Sequence, residues 1–282
     1  MSIINRLSSV RFTVNNKSML TLTSIIWIGF VLLLGSFTQG ATGFGLGLVS
    51  IPLLVLGGIP LPAAIAIMLL SMLFVNTFSC YIYRQHIHWP TVLPILILHL
   101  IGLPFGVAAL LFLEDSQPGI AKMVVGSMVI LAVFTQWFFK FKPREHLNIA
   151  WGLGAGFSSG CLEGFIGMGS PPMVLYVMAH KWDLHRIRTT IWVVFLSDVV
   201  PLILLLWYVF GHEIVHAVFI GVIMFPITLL GTRLGNKAGH ALGTDRLRLA
   251  AYGLLVLLGA ISIGLPLLKW THHVLLAMPL SK

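Results

Sequence analysis

Charge is what this 282-residue sequence has least of: Asp, Glu, Lys and Arg make up 9% of it, against 58% hydrophobic residues. A soluble domain covers its surface with about 25% charged residues, so a water-facing surface is excluded and lipid must take its place. Acidic residues are the scarcest, with 8 Asp+Glu against 17 Lys+Arg and a net charge of +9. In a soluble chain that surplus would suggest nucleic acid. Here the basic residues lie mostly in connections between apolar segments, where they orient spans and meet anionic headgroups. A cationic vestibule that draws in anions is the second reading, and no nucleic-acid partner is expected.

Cysteine is nearly absent, which excludes a disulfide framework; Cys80 and Cys161 both lie in apolar segments and read as small packing residues. Metal ligands at usable spacing are missing as well. Of 11 histidines, His86, His88, His272 and His273 fall at span ends without acidic or cysteine partners, so neither a metal nor a cofactor is expected. Apolar–polar alternation is missing too, which excludes a membrane β-barrel and leaves helices as the spanning element. There is no low-complexity tract, long linker or soluble domain. Residues 1–282 therefore read as one all-α polytopic membrane domain with the lipid bilayer as its surroundings.

What is present is a series of apolar segments at approximately 20–57, 60–83, 89–113, 118–139, 147–179, 187–210, 213–235 and 247–268. A bilayer needs about 20 helical residues per crossing. The N-terminus imitates a signal peptide, with Arg6, Arg11 and Lys17 ahead of an apolar run, but no small-residue cleavage site closes that run and it reads as a retained span.

Two segments, 20–57 and 147–179, are too long for one upright crossing, and both are broken by glycine. Adding 124 to Gly40, Gly43 and Gly45 gives Gly164, Gly167 and Gly169, and Gln39 lands on Glu163. At a nearby offset of 129, Gly102 and Gly106 map onto Gly231 and Gly235. These matches predict an internal duplication with repeats at approximately 20–141 and 147–269. With each long segment crossing once there are eight spans, and Lys and Arg divide evenly between the two sides. With each long segment a helical hairpin there are five helices per half, ten in all. The repeats are then inverted and more Lys and Arg fall inside, although Arg6, Arg11 and Lys17 are left outside. The expectation is two inverted repeats with broken Gly-rich helices, in 8 to 10 helical segments.

Glycine tolerates a sharp reversal and lets a ligand or another backbone approach closely. In a membrane, an interruption is tolerated where it is buried in protein or lines a wet cavity, and paired interruptions in two halves point to a transporter's midplane site. Freed N–H groups at a half-helix start suit an anion. The candidates for substrate binding are Gln39, Gly40, Thr42, Gly43, Gly45 and Gly47 in the first half, and Gly164, Gly167, Gly169 and Ser170 in the second. Pro171 and Pro172 suit the first turn of a helix starting there. Gln39, Thr42 and Ser170 could donate to substrate oxygens, but each is equally explained by capping a broken helix. Gly102/Gly106 and Gly231/Gly235 read as helix packing.

The stretches GATGFGLGLVSIPLL at 40–54 and GFIGMGSPPMVLY at 164–176 are similar to the duplicated motifs of the TauE/SafE sulfite and organosulfonate exporters, and the pattern of spans extends the resemblance from about residue 24 to 268. The first copy departs from the usual consecutive glycines at Phe44 and Leu46, the second at Gly169-Ser170-Pro171. The resemblance implies a secondary transporter of small sulfur-containing or organic anions in the bacterial inner membrane, not an enzyme.

Ionisable groups inside spans are costly and usually functional. Glu163, next to the second motif, and Asp198, in the middle of 187–210, are the candidates for proton coupling, since a carboxyl withdrawn from water can exchange a proton with its site. A locked or headgroup-level Glu163 is the plainer alternative. Asn76 places a polar group on the corresponding helix of the first half. His99 reads either as a proton relay or as a hydrogen-bonded packing residue. Arg84, Lys181, Arg186 and Arg188 flank spans, most of them as anchors, and Arg188, the deepest in its helix, is the one expected to face the cavity. Alternatives to proton-coupled anion transport are a cation-coupled carrier of another solute and a non-transporting scaffold.

Overall fold

The computed structural model describes residues 21–43, 45–114, 118–138, 143–145, 147–242 and 244–277. Arg6, Arg11, Lys17, Phe44, Lys140 and His146 lie outside the described residues, as do the side chains of His272 and His273. Among the described residues the chain is all helix apart from one isolated bridge, Arg144 to His180. The helices are α1 (Leu22–Thr42), α2 (Leu46–Leu56), α3 (Leu61–Ile82), α4 (Trp89–Glu114), α5 (Pro118–Phe138), α6 (Ile149–Ile166), α7 (Ser170–Met178), α8 (Leu184–Ser197), α9 (Val199–Phe210), α10 (Glu213–Ile223), α11 (Phe225–Leu242) and α12 (Thr244–Ala277). A short 3-10 turn, Arg84–His86, follows α3.

Six helical stretches are long and apolar enough to cross a membrane, and seven are if α10 and α11, bent by 49°, form one span. The chain is therefore a multi-pass helical membrane protein. The expected 8 to 10 segments exceed this number because α2, α6 and α7 are not among these stretches. At about 1.5 Å per residue, α2 with 11 residues and α7 with 9 cannot cross about 30 Å of hydrocarbon.

Local chemistry sets the breaks. Gly43 (φ 89°) and Gly167 (φ 68°) sit in left-handed conformations at the ends of α1 and α6, which cost a residue with a Cβ about 1–2 kcal/mol. Each closes its helix the same way, with the Gly43 N–H donating to the Gln39 carbonyl (2.7 Å) and the Gly167 N–H to the Glu163 carbonyl (2.9 Å). Starts are marked by Pro62 in α3, Pro171 in α7, and two side-chain caps. Asn148 accepts from the Ala150 N–H (3.0 Å) and Asp183 from the Arg186 N–H (3.1 Å).

Helix α3 is the centre of the bundle: 78% of its apolar window is buried, against 39% or less for the other five spanning stretches. Those others expose large apolar side chains outward, among them Phe30, Phe105, Phe112, Leu204 and Tyr208. Around α3, α1 packs on α11 and α6 packs on α4, both through glycine. A Cβ on Gly40 would collide with the Thr232 carbonyl and approach the Asn236 N–H; one on Gly164 would collide with the Leu103 carbonyl and approach the Val107 N–H. From the other side, Gly102 and Gly106 abut the backbone at Phe157, Cys161 and Phe165, and Gly231 and Gly235 abut it at Leu33, Phe37 and Ala41. Helices in lipid gain little from burying apolar surface, so close backbone approach of this kind carries their association.

Candidate functional site

The two broken stretches meet. A Cβ placed on Gly47, in the first turn of α2, would fall 2.5 Å from the Gly167 carbonyl and 3.1 Å from the Met68 sulfur. Gly167 in turn backs onto Ile65 of α3 and Ile51 of α2. The reversal between α1 and α2 thus lies directly against the one between α6 and α7, with α3 behind both.

Beside this junction is a cavity of about 70 Å³, room for about two waters at their liquid volume. Its polar lining is Gln39 from α1, Asn76 from α3 and Glu163 from α6; Leu46 opens α2 on one side, and Ile191, Trp192 and Phe195 of α8 form the opposite wall. Gln39 and Glu163, separated by 124 residues, therefore share one small hollow. The Asn76 Oδ1 atom is buried and has no hydrogen-bond partner among the described residues, an arrangement that asks for a donor from outside the chain.

Glu163 is 4% exposed and has a structural duty. Its Oε2 accepts the Gly169 N–H at 2.6 Å, while the Gly169 carbonyl accepts the Ser159 hydroxyl at 2.7 Å. The carboxylate thereby caps the start of α7 and fixes the second reversal. Asp198 occupies the break between α8 and α9. Its Oδ2 pairs with Nε2 of His99 on α4 at 2.9 Å, with both side chains fully buried, and its Oδ1 has no partner among the described residues. Glu163 interacts electrostatically with both Asp198 and His99. Three ionisable groups from three separate elements are gathered here, Glu163 lining the cavity with Asp198 and His99 beyond its lining.

The remaining sequence candidates divide. Gly43, Gly45, Gly47, Gly167 and Gly169 form the reversals, and Gly45 is itself left-handed at φ 110°. Ser170 begins α7. The space over Gly40 and Gly164 is filled by α11 and α4 rather than by the cavity. The Thr42 hydroxyl donates to the Thr38 carbonyl of its own helix at 2.9 Å. Two participants were not identifiable as such from the sequence: His99 as the partner of Asp198, and Trp192 as a wall of the cavity. Neither stands in a motif, and only the fold brings α4 and α8 to the junction.

Among the described residues no group of three or more His, Cys, Asp or Glu is placed to hold a metal ion, and Cys80 and Cys161 are both free thiols. A larger groove of about 670 Å³ lies between α6 and α7, walled by Trp151, Pro172 and Tyr176. None of the sequence candidates lines it.

Buried reversals gathered around a polar hollow, inside a multi-pass helical bundle, define a membrane transporter. Comparison with known proteins agrees: the sulfite exporter TauE/SafE family model matches residues 28–261. The chain belongs to that family, which comprises transporters rather than enzymes. It is 24% identical over 236 residues to the probable sulfite/organosulfonate exporter TauE of Cupriavidus necator, an alignment covering 82% of this chain and 90% of the relative. No solved structure matches the chain.

Proposed function

We propose that this protein is a proton-coupled secondary transporter that exports a small sulfur oxyanion, sulfite or a compact sulfonate, across a bacterial inner membrane. The observation that carries the reading is the shared hollow: Gln39 and Glu163, at matching positions of the two glycine motifs, both line one small cavity beside the joined reversals. A space of about 70 Å³ suits an anion of a few heavy atoms and leaves little room for a long organic tail. Gln39 and Asn76 supply amide groups to its oxygens, with the glycine-lined turns at Gly43, Gly45, Gly47, Gly167, Gly169 and Ser170 bringing backbone close to it. Glu163 and Asp198, linked to His99, form the proton-handling group.

The transporter is built from two inverted repeats, approximately 20–141 and 147–269, each a helix, a re-entrant half-helix and three further segments. Contacts related by the two sequence offsets support this. Gly40 meets Thr232 and Asn236 where Gly164 meets Leu103 and Val107, and Gly231 meets Leu33 and Phe37 where Gly102 meets Phe157 and Cys161. In each case the first member becomes the second by adding 124 on one helix and subtracting 129 on the other. Counting α6 as a span and α2 and α7 as re-entrant halves, with α10 and α11 as one span, gives ten helical segments, five in each repeat.

Purified protein in liposomes loaded with sulfite tests the reading. A pH gradient should drive saturable sulfite flux, and a protonophore should abolish the gradient's effect. Flux that follows a sodium gradient instead would favour the cation-coupled carrier, and no flux across a panel of sulfite and short sulfonates would favour a scaffold.

A further inference from the structure

We infer that Arg188 is the counter-charge that receives the anion at the mouth of the Gln39–Glu163 cavity. The inference rests on the transport reading proposed above and adds a residue and a route to it.

The register of α8 places the side chain. Ile191, Trp192 and Phe195 line the cavity, and residues three and four apart share a helix face. Arg188 precedes them by three, four and seven positions, so it stands on that same face, one turn nearer the start of the helix. From there its Nε lies 4.0 Å from where a Cβ of Gly43 would be, and among the described residues, the chain neighbours of Gly43 aside, nothing else comes within that distance. Gly43 is left-handed, carries no side chain, and leaves open the space that the guanidinium overlooks. The first turn of the 11-residue helix α2 begins beside it, with N–H groups that lack helical partners.

Among the other cations at this end of the bundle, Arg233 and Lys237 of α11 are exposed, and three are engaged. Arg84 lies over the Tyr81 ring at 4.6 Å. Arg186 lies over the Trp182 ring at 4.3 Å and donates to the Thr91 hydroxyl at 3.3 Å. Lys181 pairs with Glu145 at 3.2 Å. Among the described residues Arg188 makes no hydrogen bond and no ion pair with a neighbour, and it is half-buried. The carboxylates within reach of this region are committed elsewhere: Asp183 caps α8, Glu163 holds Gly169, and Asp198 holds His99.

A half-buried, unpaired guanidinium is costly to keep unless something anionic visits it. Its planar fork matches an oxyanion in bidentate fashion. The cavity itself contains Glu163, whose charge repels an incoming anion, so a compensating cation is required on the way in. The outer wall completes a mouth. Tyr83 stacks with His185 at 5.0 Å and contacts Trp192 at 5.9 Å, and His86 lies 5.0 Å from His185. Trp192 belongs to both this ring cluster and the cavity, so the route runs from the rings past Arg188 to Gln39.

The test compares Arg188→Gln and Arg188→Lys with wild type in sulfite-loaded proteoliposomes. A charge-assisted contact of this kind predicts a KM for sulfite raised about 10- to 100-fold in Arg188→Gln. Maximal rate should be largely retained, and Arg188→Lys should fall between, because a point charge replaces the fork. The melting temperature of the purified protein should rise with added sulfite in wild type and stay flat in Arg188→Gln. A merely structural arginine would lower the melting temperature and leave KM unchanged, and that result overturns the assignment while wild-type flux leaves the transport reading standing. If Arg188→Gln does not fold, a wild-type KM in Arg188→Lys together with unaltered sulfite stabilisation overturns it equally. Wild-type protein that moves no sulfite and gains no stability from it overturns the transport reading as well.

Discussion

Gly40→Ala and Gly164→Ala are one experiment performed on two helices. In each, the added methyl collides with a backbone carbonyl of the facing helix, that of Thr232 for Gly40 and that of Leu103 for Gly164. A backbone carbonyl cannot rotate aside as a side chain can, so α1 must part from α11, or α6 from α4. Overpacking of this sort costs about 1–3 kcal/mol. Against it, alanine is favoured over glycine within a helix by about 0.5–1 kcal/mol, leaving a net loss between zero and about 2.5 kcal/mol for each variant. At about 2–4 °C per kcal/mol, the melting temperature in detergent should fall by a few degrees, and by similar amounts in the two. Gly154→Ala is the control. A Cβ there meets nothing, and the expected change is neutral to about 0.5–1 kcal/mol stabilising. If Gly40→Ala and Gly164→Ala melt together with Gly154→Ala, the close helix approach is not real. If only one of the pair is destabilised, the matched-repeat argument fails.

Other outcomes follow from the same geometry. Glu163→Gln keeps an oxygen for the Gly169 N–H but removes the ionisable group, so the protein should fold while sulfite flux loses its response to a pH gradient, read with a pH-sensitive dye inside the vesicles. Asp198→Ala leaves the buried Nε2 of His99 without its hydrogen-bond partner, a loss of about 1–3 kcal/mol; Asp198→Asn should recover much of the loss on a thermal melt. Gly43→Ala forces a Cβ into a left-handed turn at about 1–2 kcal/mol, without filling space against any backbone. It should therefore lower the melting temperature by an amount comparable to a collision, with Gly154→Ala again as reference.

The class of protein was legible because the shortage of charge and the length of the apolar runs leave no alternative. The breaks were legible too: glycine clusters at 43–47 and 164–169 announced where α1 and α6 would stop. What each glycine does was not. Gly40 and Gly43 look alike in sequence, yet one lies against α11 and the other turns the chain, because helical phase and the position of a neighbouring helix decide which side of α1 is crowded. The span number differed for a related reason. Residues 20–57 and 147–179 are continuous in hydropathy, whereas α2 and α7 are too short to cross alone. The His99–Asp198 pair was hidden altogether, since 99 residues separate its members and neither local periodicity nor spacing links α4 to the break between α8 and α9.

The most direct test of the joined reversals as the anion path is radiolabelled sulfite uptake by proteoliposomes containing wild type or Gly47→Val. Valine would press on the Gly167 carbonyl, 2.5 Å from a Cβ at that position. Saturable uptake by wild type, and none by a Gly47→Val protein that still elutes as a single monodisperse species, is the predicted result. Equal uptake by the two would contradict it.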